Sequence, residues 1–319
     1  MKLSIVSPIY KAEKMLHHLV ERCEAAVSTL TDDFELILVN DCSPDSSWEV
    51  LKEICAQDKH VKAIDHSRNF GQHPAISTGL RYVTGDWIVI LDCDLQDRPE
   101  DIPALYAKTQ EGWDIVFARR GERHDGFFKQ LGGKVFHMFF RWLTGISTDK
   151  NIGNYCIFKR SYADEIVKIP DQSRAFGTLI RHVGGKATFI DVDRPQREEG
   201  TSGYTLGRLL KLAFENSISN SNKPLRMATC LGLIMSIVAG LLSLCQIIAK
   251  LAGMNIMPGY TSSIASIWFV GGLILFVLGM IGLYIGKIYD QVKGRPYSVV
   301  RETINLDESS SFVGTKGAR

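Results

Sequence analysis

The sequence predicts an α/β domain with a mostly parallel sheet, followed by two transmembrane helices. Three observations predict it. Short apolar, β-branched runs alternate with helical segments over the first 120 residues, polar residues gather where those runs end, and charged residues become rare after about residue 223. With 319 residues, 45% of them hydrophobic, the chain can form one large domain and a smaller part.

The alternating runs define the elements of the first domain. Strands are predicted at 3–8, 34–39, 61–65, 87–91 and 113–118. Helices are predicted between them, at about 12–30, 46–57, 73–83 and 100–111. A sheet built in this order is mostly parallel and binds its ligands beyond the carboxyl ends of the strands.

Two long uncharged stretches predict a transmembrane hairpin. They run from about Thr229 to Ala249 and from about Ile264 to Ile285, and about 20 residues are enough to cross a bilayer. Lysines and arginines flank the pair on both outer sides, whereas the connecting loop holds only Lys250. The positive-inside rule therefore predicts that both termini are cytoplasmic.

The end of the fourth predicted strand carries the most informative pattern. An apolar run, 88–91, leads into Asp92-Cys93-Asp94. Residues two apart in an extended chain share a face, so Asp92 and Asp94 can bind one hard divalent cation through carboxylate oxygens. Taken alone, such a pattern is more often a solvated acidic turn after a strand.

Polar residues also follow the other three strands. They are Pro8-Ile9-Tyr10 with Glu13 close behind, Asn40-Asp41-Cys42-Ser43, and 65–72, Asp-His-Ser-Arg-Asn-Phe-Gly-Gln. Each group alone is more typical of a helix cap than of a ligand contact. Because four such groups meet at one edge of a parallel sheet, the sequence predicts a binding pocket there.

Charge and cysteine content exclude some classes of protein. The net charge is +2 and the charges are scattered, which predicts no nucleic-acid partner. The seven cysteines show no metal-ligand spacing and several fall in apolar runs, which indicates reduced thiols in a cytosol-facing protein.

Three longer motifs carry a family resemblance. They are 67–72 (Ser-Arg-Asn-Phe-Gly-Gln), 91–100 (Leu-Asp-Cys-Asp-Leu-Gln-Asp-Arg-Pro-Glu), and 197–204 (Arg-Glu-Glu-Gly-Thr-Ser-Gly-Tyr) followed by Lys223-Pro224-Leu225-Arg226. With them the chain resembles a family 2 glycosyltransferase of GT-A fold. Within that family it is similar to the polyisoprenyl-phosphate glycosyltransferases, which include dolichol-phosphate mannose synthase. The resemblance covers nearly the whole chain, including the predicted membrane hairpin.

The resemblance implies roles for individual residues. The nucleoside is expected at Pro8, Tyr10, Glu13, Asp41 and Arg68. Mg²⁺ or Mn²⁺ is expected at Asp92 and Asp94, which together with Gln96 hold the sugar diphosphate. Contacts to phosphate or sugar are expected from Arg120, Arg123, Arg197 and Ser202, although a solvated charge run is an equally good interpretation of the first two.

The chain departs from the family pattern in two places. Relatives often have a lysine where this chain has Gly203, so one phosphate-binding cation is missing. Many relatives have an aspartate at the position of Asn154, and an amide cannot act as a base. The catalytic position Asn154 therefore favours a phosphate acceptor that is already ionised, unless Asp97 or another acid is the base or Asn154 only caps a turn.

Residues 127–143 combine aromatic side chains with three cations, Lys129, Lys134 and Arg141. This composition suits a helix at the bilayer surface and equally a helix packed on the sheet.

The predicted protein is an inverting, metal-dependent glycosyltransferase of the bacterial inner membrane. It moves a sugar from a nucleotide sugar, with UDP as the expected nucleotide, to polyprenyl (undecaprenyl) phosphate at the cytoplasmic face for cell-envelope assembly. The predicted parts are a cytoplasmic GT-A domain (1–222), a membrane hairpin (223–290) and a cytoplasmic tail (291–319). Two alternatives stay open: transfer to a hydroxyl of a lipid-linked saccharide, and a non-catalytic scaffold or flippase component. The identity of the sugar and the oligomeric state, including a homo-oligomer, also stay open.

Overall fold

The computed structural model describes residues 1–120, 152–171, 175–192, 223–252 and 259–306. These residues divide into two compact units. The first unit contains residues 1–120, 152–171, 175–192 and 295–306, and the second contains 223–252 and 259–294.

The first unit is built on a sheet of eight strands. The strands are β1 (Leu3–Ile9), β2 (Phe34–Asn40), β3 (Val61–His66), β4 (Trp87–Ile90), β5 (Ile115–Arg120), β6 (Ile152–Lys159), β7 (Ala187–Val192) and β8 (Val300–Ile304). Their order across the sheet is β7-β5-β6-β4-β1-β2-β3-β8. Four of the pairings are parallel, and β6 and β8 run antiparallel to their neighbours. The prediction of an α/β domain with a mostly parallel sheet is confirmed.

Six helices accompany the strands of this unit. They are α1 (Leu16–Val27), α2 (Ser47–Gln57), α3 (Gln72–Gly79), α4 (Ile102–Thr109), α5 (Arg160–Lys168) and α6 (Phe176–Val183). The five strands and four helices predicted from the apolar runs are all present. The later elements β6, α5, α6, β7 and β8 were not predicted.

Alternation along the central strands divides the core between the two faces of the sheet. In β2, Leu36 and Leu38 belong to one hydrophobic cluster, and Ile37 and Val39 belong to the other. Helices α1, α2 and α4 contribute to the first cluster, and α3, α5 and α6 contribute to the second. Residues 36–39 of β2 are all apolar, and the strand is covered on both faces, as expected of a parallel sheet.

Close packing of α3 on the sheet depends on Gly79. A Cβ atom at this position would lie 2.4 Å from Cγ1 of Val6 on β1 and 3.2 Å from Cγ2 of Val39 on β2. Any larger residue would push α3 away from the strands that carry the predicted pocket.

A buried carboxylate ties the strands together at their amino-terminal end. Glu35 on β2 is 1% exposed and accepts hydrogen bonds from Ser4 Oγ (2.5 Å) and Lys62 Nζ (2.6 Å). It also accepts bonds from the backbone N–H (2.6 Å) and the hydroxyl (2.9 Å) of Thr84. Burial opposes ionisation of Glu35, but these donors outweigh it and hold the pKa of the carboxyl below its ordinary value.

Glu35→Gln is expected to lower the free energy of unfolding by about 2 kcal/mol, because an amide NH₂ would face buried donors. The lowered pKa means that the carboxylate stabilises the fold above its unfolded pKa of about 4.3, and that this contribution disappears as the pH falls through the folded value. Urea unfolding at several pH values should therefore show a gap between wild type and variant that closes below about pH 4. The exposed Glu53→Gln on α2 is the control. An equal effect of both substitutions would contradict the assigned role.

The chain returns to the sheet after the second unit. Residues 300–304, which lie in the predicted tail, form the edge strand β8, antiparallel to β3, with Ile64 opposite Thr303. Arg301 on β8 is paired with the buried Asp65 of β3, which also accepts a bond from Asn40 Nδ2 at 2.7 Å.

The second unit contains two long helices, α7 (Lys223–Leu251) and α8 (Tyr260–Val292). Within α8, Phe269–Val292 has a mean hydropathy of 2.3 and is long and apolar enough to cross a membrane. Among the described residues it is the one segment with both properties, whereas the apolar part of α7, Leu225–Met235, is shorter. The second predicted span thus falls on a suitable helix, and the first span stays a prediction.

Candidate functional site

A cavity of about 390 Å³ opens at the carboxyl edge of the sheet, where the sequence predicts it. The residues that line it lie at the end of β1 or in the segments that follow β1, β2, β3 and β4. They are Pro8, Ile9, Tyr10, Asp41, Asn69, Gly71, Gln72, Asp92, Cys93 and Asp94. The polar residues that follow four different strands therefore share one pocket.

Parallel pairing explains why these side chains meet. Ile9 lies opposite Asn40 in the register of β1 and β2, and the backbone N–H of Asp41 donates to Ile9 O at 3.0 Å. Tyr10 and Asp41 thus leave the sheet side by side. Strand β4 pairs with β1 on its other side and delivers Asp92 to the same edge.

Backbone strain marks the turns that follow these strands. Three residues other than glycine have a positive φ there: Lys11 (55°), Cys42 (50°) and Leu95 (53°). Each directly follows a residue of the pocket lining, namely Tyr10, Asp41 and Asp94. Left-handed backbone at such residues is uncommon and collects at functional sites, where it aims neighbouring side chains.

Asp41 organises the wall of the pocket. Its Oδ1 accepts the backbone N–H of Phe70 at 2.8 Å, and its Oδ2 accepts the N–H of Gly71 at 2.7 Å. The ring Nδ1 of His66 lies 2.9 Å from Oδ1. Burial opposes ionisation of Asp41, but the three donors outweigh it and lower the pKa of the carboxyl. Gly71 has a φ of 99°, so its presence lets the loop turn back to the carboxylate before α3 begins.

Two further carboxylates line the same pocket, and each is oriented by a neighbour. Asp92 Oδ1 accepts a bond from Gln72 Nε2 at 2.6 Å. Asp94 Oδ1 accepts the backbone N–H of Gln96 at 3.1 Å. The side-chain Oε1 of Gln96 is buried and has no hydrogen-bond partner among the described residues. This oxygen can therefore still accept a hydrogen bond.

The charge of this pocket fits a divalent cation. Three carboxylates line it, with no lysine or arginine among the described lining residues. Burial raises the pKa of the Cys93 thiol to about 11, so this lining residue is neutral at pH 7. Mg²⁺ commonly binds through one or two carboxylates together with substrate phosphates, and Asp92 and Asp94 are a donor set of this kind. Without such a cation, a diphosphate would be repelled from the pocket.

Other predicted site residues lie outside the lining. Glu13 accepts the backbone N–H of Ser46 at 2.9 Å, which caps the start of α2. Arg68 is exposed, with its guanidinium 4.6 Å from the centre of the Phe70 ring. Asn154 is half-buried on β6, where the register puts Cys156 opposite Ile90 of β4. Asn154 lies two residues before Cys156. Because β6 runs antiparallel to β4, this position is at the edge of the sheet from which Asp92 emerges.

The structure leaves the remaining predicted contacts open. Arg123, Arg197 and Ser202 fall outside the described residues, as does the segment 127–143. Arg120 ends β5, and its side chain lies outside the described part as well. The roles proposed for these residues stay predictions.

His66 and Gln72 belong to the predicted strand-end group 65–72, but the sequence assigns neither of them a role of its own. Gln72 lies in a motif that carries the family resemblance, but only the fold shows that it reaches Asp92. His66 ends β3 and contacts Asp41 from there. A usable signal was available for His66, because a histidine at the carboxyl end of a buried strand needs a polar partner.

A family model for glycosyl transferase family 2 matches residues 4–167. The chain belongs to this family. The matched region begins in β1 and ends in α5, so it contains Asp41, Asp92 and Asp94 together with Asn154. The GT-A-like α/β fold of the first unit agrees with this membership, and the chain is a glycosyltransferase by family.

Two relatives align with almost the whole chain. The uncharacterized glycosyltransferase YkcC of Bacillus subtilis is 34% identical over 310 residues, which cover 97% of this chain and 96% of the relative. The undecaprenyl-phosphate 4-deoxy-4-formamido-L-arabinose transferase of Photorhabdus laumondii is 33% identical over 316 residues, with coverage of 97% and 96%.

Solved structures are similar at a lower sequence identity. Glucosyl-3-phosphoglycerate synthase of Mycobacterium tuberculosis, solved with Mn²⁺, UDP and phosphoglyceric acid, is 16% identical with a TM-score of 0.46. The similarity covers 68% of this chain and 76% of that one.

Proposed function

We propose that this glycosyltransferase moves a sugar from a nucleoside diphosphate sugar to a polyprenyl phosphate at the membrane surface. The observation that carries the proposal is the pocket in which Asp41, Asp92 and Asp94 meet. The acceptor is supported by the Photorhabdus relative, which is named for transfer to undecaprenyl phosphate. UDP is the proposed nucleotide and undecaprenyl phosphate the proposed lipid.

The pocket divides naturally between nucleoside and diphosphate. Tyr10 is 44% exposed at one wall and offers an aromatic face to a base, and Asp41 offers an acceptor beside it. Asp92 and Asp94 lie at the end of β4, where the diphosphate would sit. Asp92 and Asp94 would hold Mg²⁺ or Mn²⁺, which neutralises the charge that develops on the departing diphosphate.

The nucleophile in this proposal needs no base. A phosphate monoester has a second pKa near 6 and is mostly dianionic at neutral pH, so its oxygen can attack the anomeric carbon directly. The new bond joins carbon to lipid phosphate oxygen, and the bond to the nucleoside diphosphate breaks. Attack from the side opposite the leaving group inverts the anomeric configuration.

The two residues considered as a general base, Asn154 and Asp97, are poorly suited to that role, which supports a phosphate acceptor. Asn154 carries no proton-accepting carboxylate at the edge where Asp92 emerges. Asp97, the alternative base, is only 4% exposed. Burial raises the pKa values of its neighbours Tyr155 and Cys156, and the charge of Asp97 raises them further. A carboxylate enclosed in this way is poorly placed to take a proton from a sugar hydroxyl.

The second unit supports a membrane location. The hydrophobic window within Phe269–Val292 contains no buried residue, so most of its apolar side chains are exposed. A surface of this size is unfavourable in water and matches the hydrocarbon thickness of a bilayer. We propose that α7 and α8 form a hairpin in the bacterial inner membrane, with the first unit in the cytoplasm.

This topology predicts the accessibility of introduced thiols. In a variant without native cysteines, Ser262→Cys should react with a membrane-impermeant maleimide in intact spheroplasts, whereas Ser310→Cys should react only after lysis. Labelling of Ser310→Cys in intact spheroplasts, with Ser262→Cys protected, would contradict the proposed orientation.

The proposed activity is tested with purified full-length protein in vesicles that contain undecaprenyl phosphate. Each of a panel of UDP-sugars and GDP-sugars is added with MgCl₂ or MnCl₂, and the lipid fraction is analysed by mass spectrometry. We expect one nucleotide sugar to give a lipid whose mass equals polyprenyl phosphate plus one sugar. Failure of every donor to give a glycosylated lipid would contradict the proposal.

A further inference from the structure

The segment that follows the two long helices belongs to the first unit and is firmly fixed there. The N–H of Ser67 donates to Val299 O at 2.9 Å, and β8 pairs with β3. Asn305 Nδ2 donates to Cys55 O at 2.7 Å and to Val61 O at 2.9 Å. Residues on both sides of Ser298 are thus held against the edge of the sheet.

A chain of buried polar groups runs from this segment to the pocket. Ser298 Oγ lies 2.7 Å from Thr78 Oγ1, which lies 3.0 Å from His66 Nε2. His66 Nδ1 lies 2.9 Å from Asp41 Oδ1. Ser298 is 5% exposed, Asp41 is 3% exposed, and the two residues between them are fully buried. The chain is therefore buried along its length and reaches the cavity only at Asp41.

One arrangement of protons satisfies every group of this chain. With a neutral His66 ring whose Nδ1 donates to the carboxylate, Nε2 accepts. The acceptor needs the proton of Thr78, which can also point to Pro74 O at 2.9 Å. With the proton of Thr78 used in this way, Ser298 donates to the oxygen of Thr78, and a donor there polarises the hydroxyl of Thr78 toward the ring.

Asp41 in turn holds the loop that forms one wall of the pocket. Its two oxygens accept the N–H groups of Phe70 and Gly71, and Asn69, Gly71 and Gln72 line the cavity. A change in the orientation of Asp41 therefore changes the pocket itself, although Ser298 does not line it.

We propose that Ser298 is a positioning residue of the nucleotide pocket, acting on Asp41 through Thr78 and His66. The segment that follows α8, residues 295–306, would then help to complete the site. The inference rests on the proposed function of the pocket as a nucleoside diphosphate site.

Calorimetric titration of the full-length protein with UDP and with GDP, each in the presence of MnCl₂, measures the effect. Ser298→Ala should weaken binding of whichever nucleotide the wild type binds by about three- to tenfold, the range of one hydrogen bond. In sugar transfer it should raise KM for the donor by a similar factor and leave kcat nearly unchanged. Ser298→Cys, a weaker donor of similar size, should fall between wild type and Ser298→Ala.

Thr303→Ala is the matched control, because it removes an exposed hydroxyl from the same segment, opposite Ile64. It should leave nucleotide binding unchanged. A double-mutant cycle with Thr78→Val separates positioning from simple anchoring of β8. If Ser298 acts through Thr78, Ser298→Ala has no further effect on binding in the Thr78→Val background.

The outcomes that overturn the inference are distinct. Unchanged nucleotide affinity of a folded Ser298→Ala protein overturns the inference alone. An equal fold-change of affinity in both backgrounds of the cycle also overturns it and assigns Ser298 to anchoring. Failure of the wild type to bind UDP or GDP overturns the proposed function, and the inference with it.

Discussion

Asp94→Asn is expected to lower kcat/KM for sugar transfer by at least about a hundredfold, a loss typical of removing one group that stabilises charge in the transition state. Asp94 is exposed in the pocket, and its Oδ1 is already oriented by the N–H of Gln96. Replacing one carboxylate oxygen by an amide nitrogen removes an anionic ligand that a hard cation prefers.

The measurement is steady-state transfer at several concentrations of MgCl₂, with nucleotide binding by calorimetry as a second readout. The binding readout should show that the metal strengthens UDP affinity much less in the variant than in the wild type. Asp32→Asn is the control, because Asp32 is an exposed aspartate at the other end of the sheet, before β2. The expected rate is about a hundredth of the wild-type rate. Transfer by folded Asp94→Asn protein at more than about a tenth of the wild-type rate would therefore show that Asp94 is not a ligand of the metal.

Asp41→Asn is expected to weaken nucleotide binding by about a hundredfold. An asparagine side chain has one acceptor oxygen, so it cannot satisfy His66 and the two N–H groups of Phe70 and Gly71 together. The ionised carboxylate makes bonds worth about 1.5 to 3 kcal/mol each, and loss of one or two of them accounts for the expected effect. The lowered pKa of Asp41 also implies that this carboxyl is ionised at every pH above its ordinary value of about 3.9.

The control for this variant is Glu35→Gln. Glu35 is a similarly buried, multiply bonded carboxylate on β2, the strand that Asp41 follows, but it lies at the other end of the sheet. Both variants should be less stable than the wild type, and only Asp41→Asn should lose nucleotide affinity. Equal nucleotide affinity in the two variants would show that Asp41 has a structural role alone.

The sequence predicts the central elements of the fold because apolar, mostly β-branched residues dominate their strands. Strands β1, β2 and β4 are buried on both faces, and no other element explains their composition. Strands β7 and β8 lie at the two edges of the sheet. Residues of β7 alternate between exposed and half-buried, and β8 contains Arg301 and Glu302. The sequence of such an edge strand resembles that of a loop or a tail, and only the pairing with a neighbouring strand shows that it belongs to the sheet.

The candidate site was predictable to the extent that strand ends determine it. Tyr10, Asp41, Asp92 and Asp94 line the pocket because each immediately follows a strand or nearly so. Glu13 lies farther along its loop, where it accepts the N–H of Ser46, and its predicted contact with the nucleoside stays a prediction. The contribution of Ser298 could not be predicted, because 220 residues separate it from Thr78 in the sequence.

The central claim concerns the bond that the enzyme makes, and the acid lability of the lipid product tests it most directly. Purified protein is given the active nucleotide sugar and vesicles that contain either polyprenyl phosphate or a lipid-linked saccharide. A sugar joined through its anomeric carbon to the lipid phosphate is a phosphodiester that mild acid cleaves, whereas a bond between two sugars resists such treatment. We predict that only the polyprenyl phosphate vesicles give product and that mild acid releases the single sugar. Release of an intact oligosaccharide with the new sugar at its outer end would contradict the account and establish a hydroxyl acceptor.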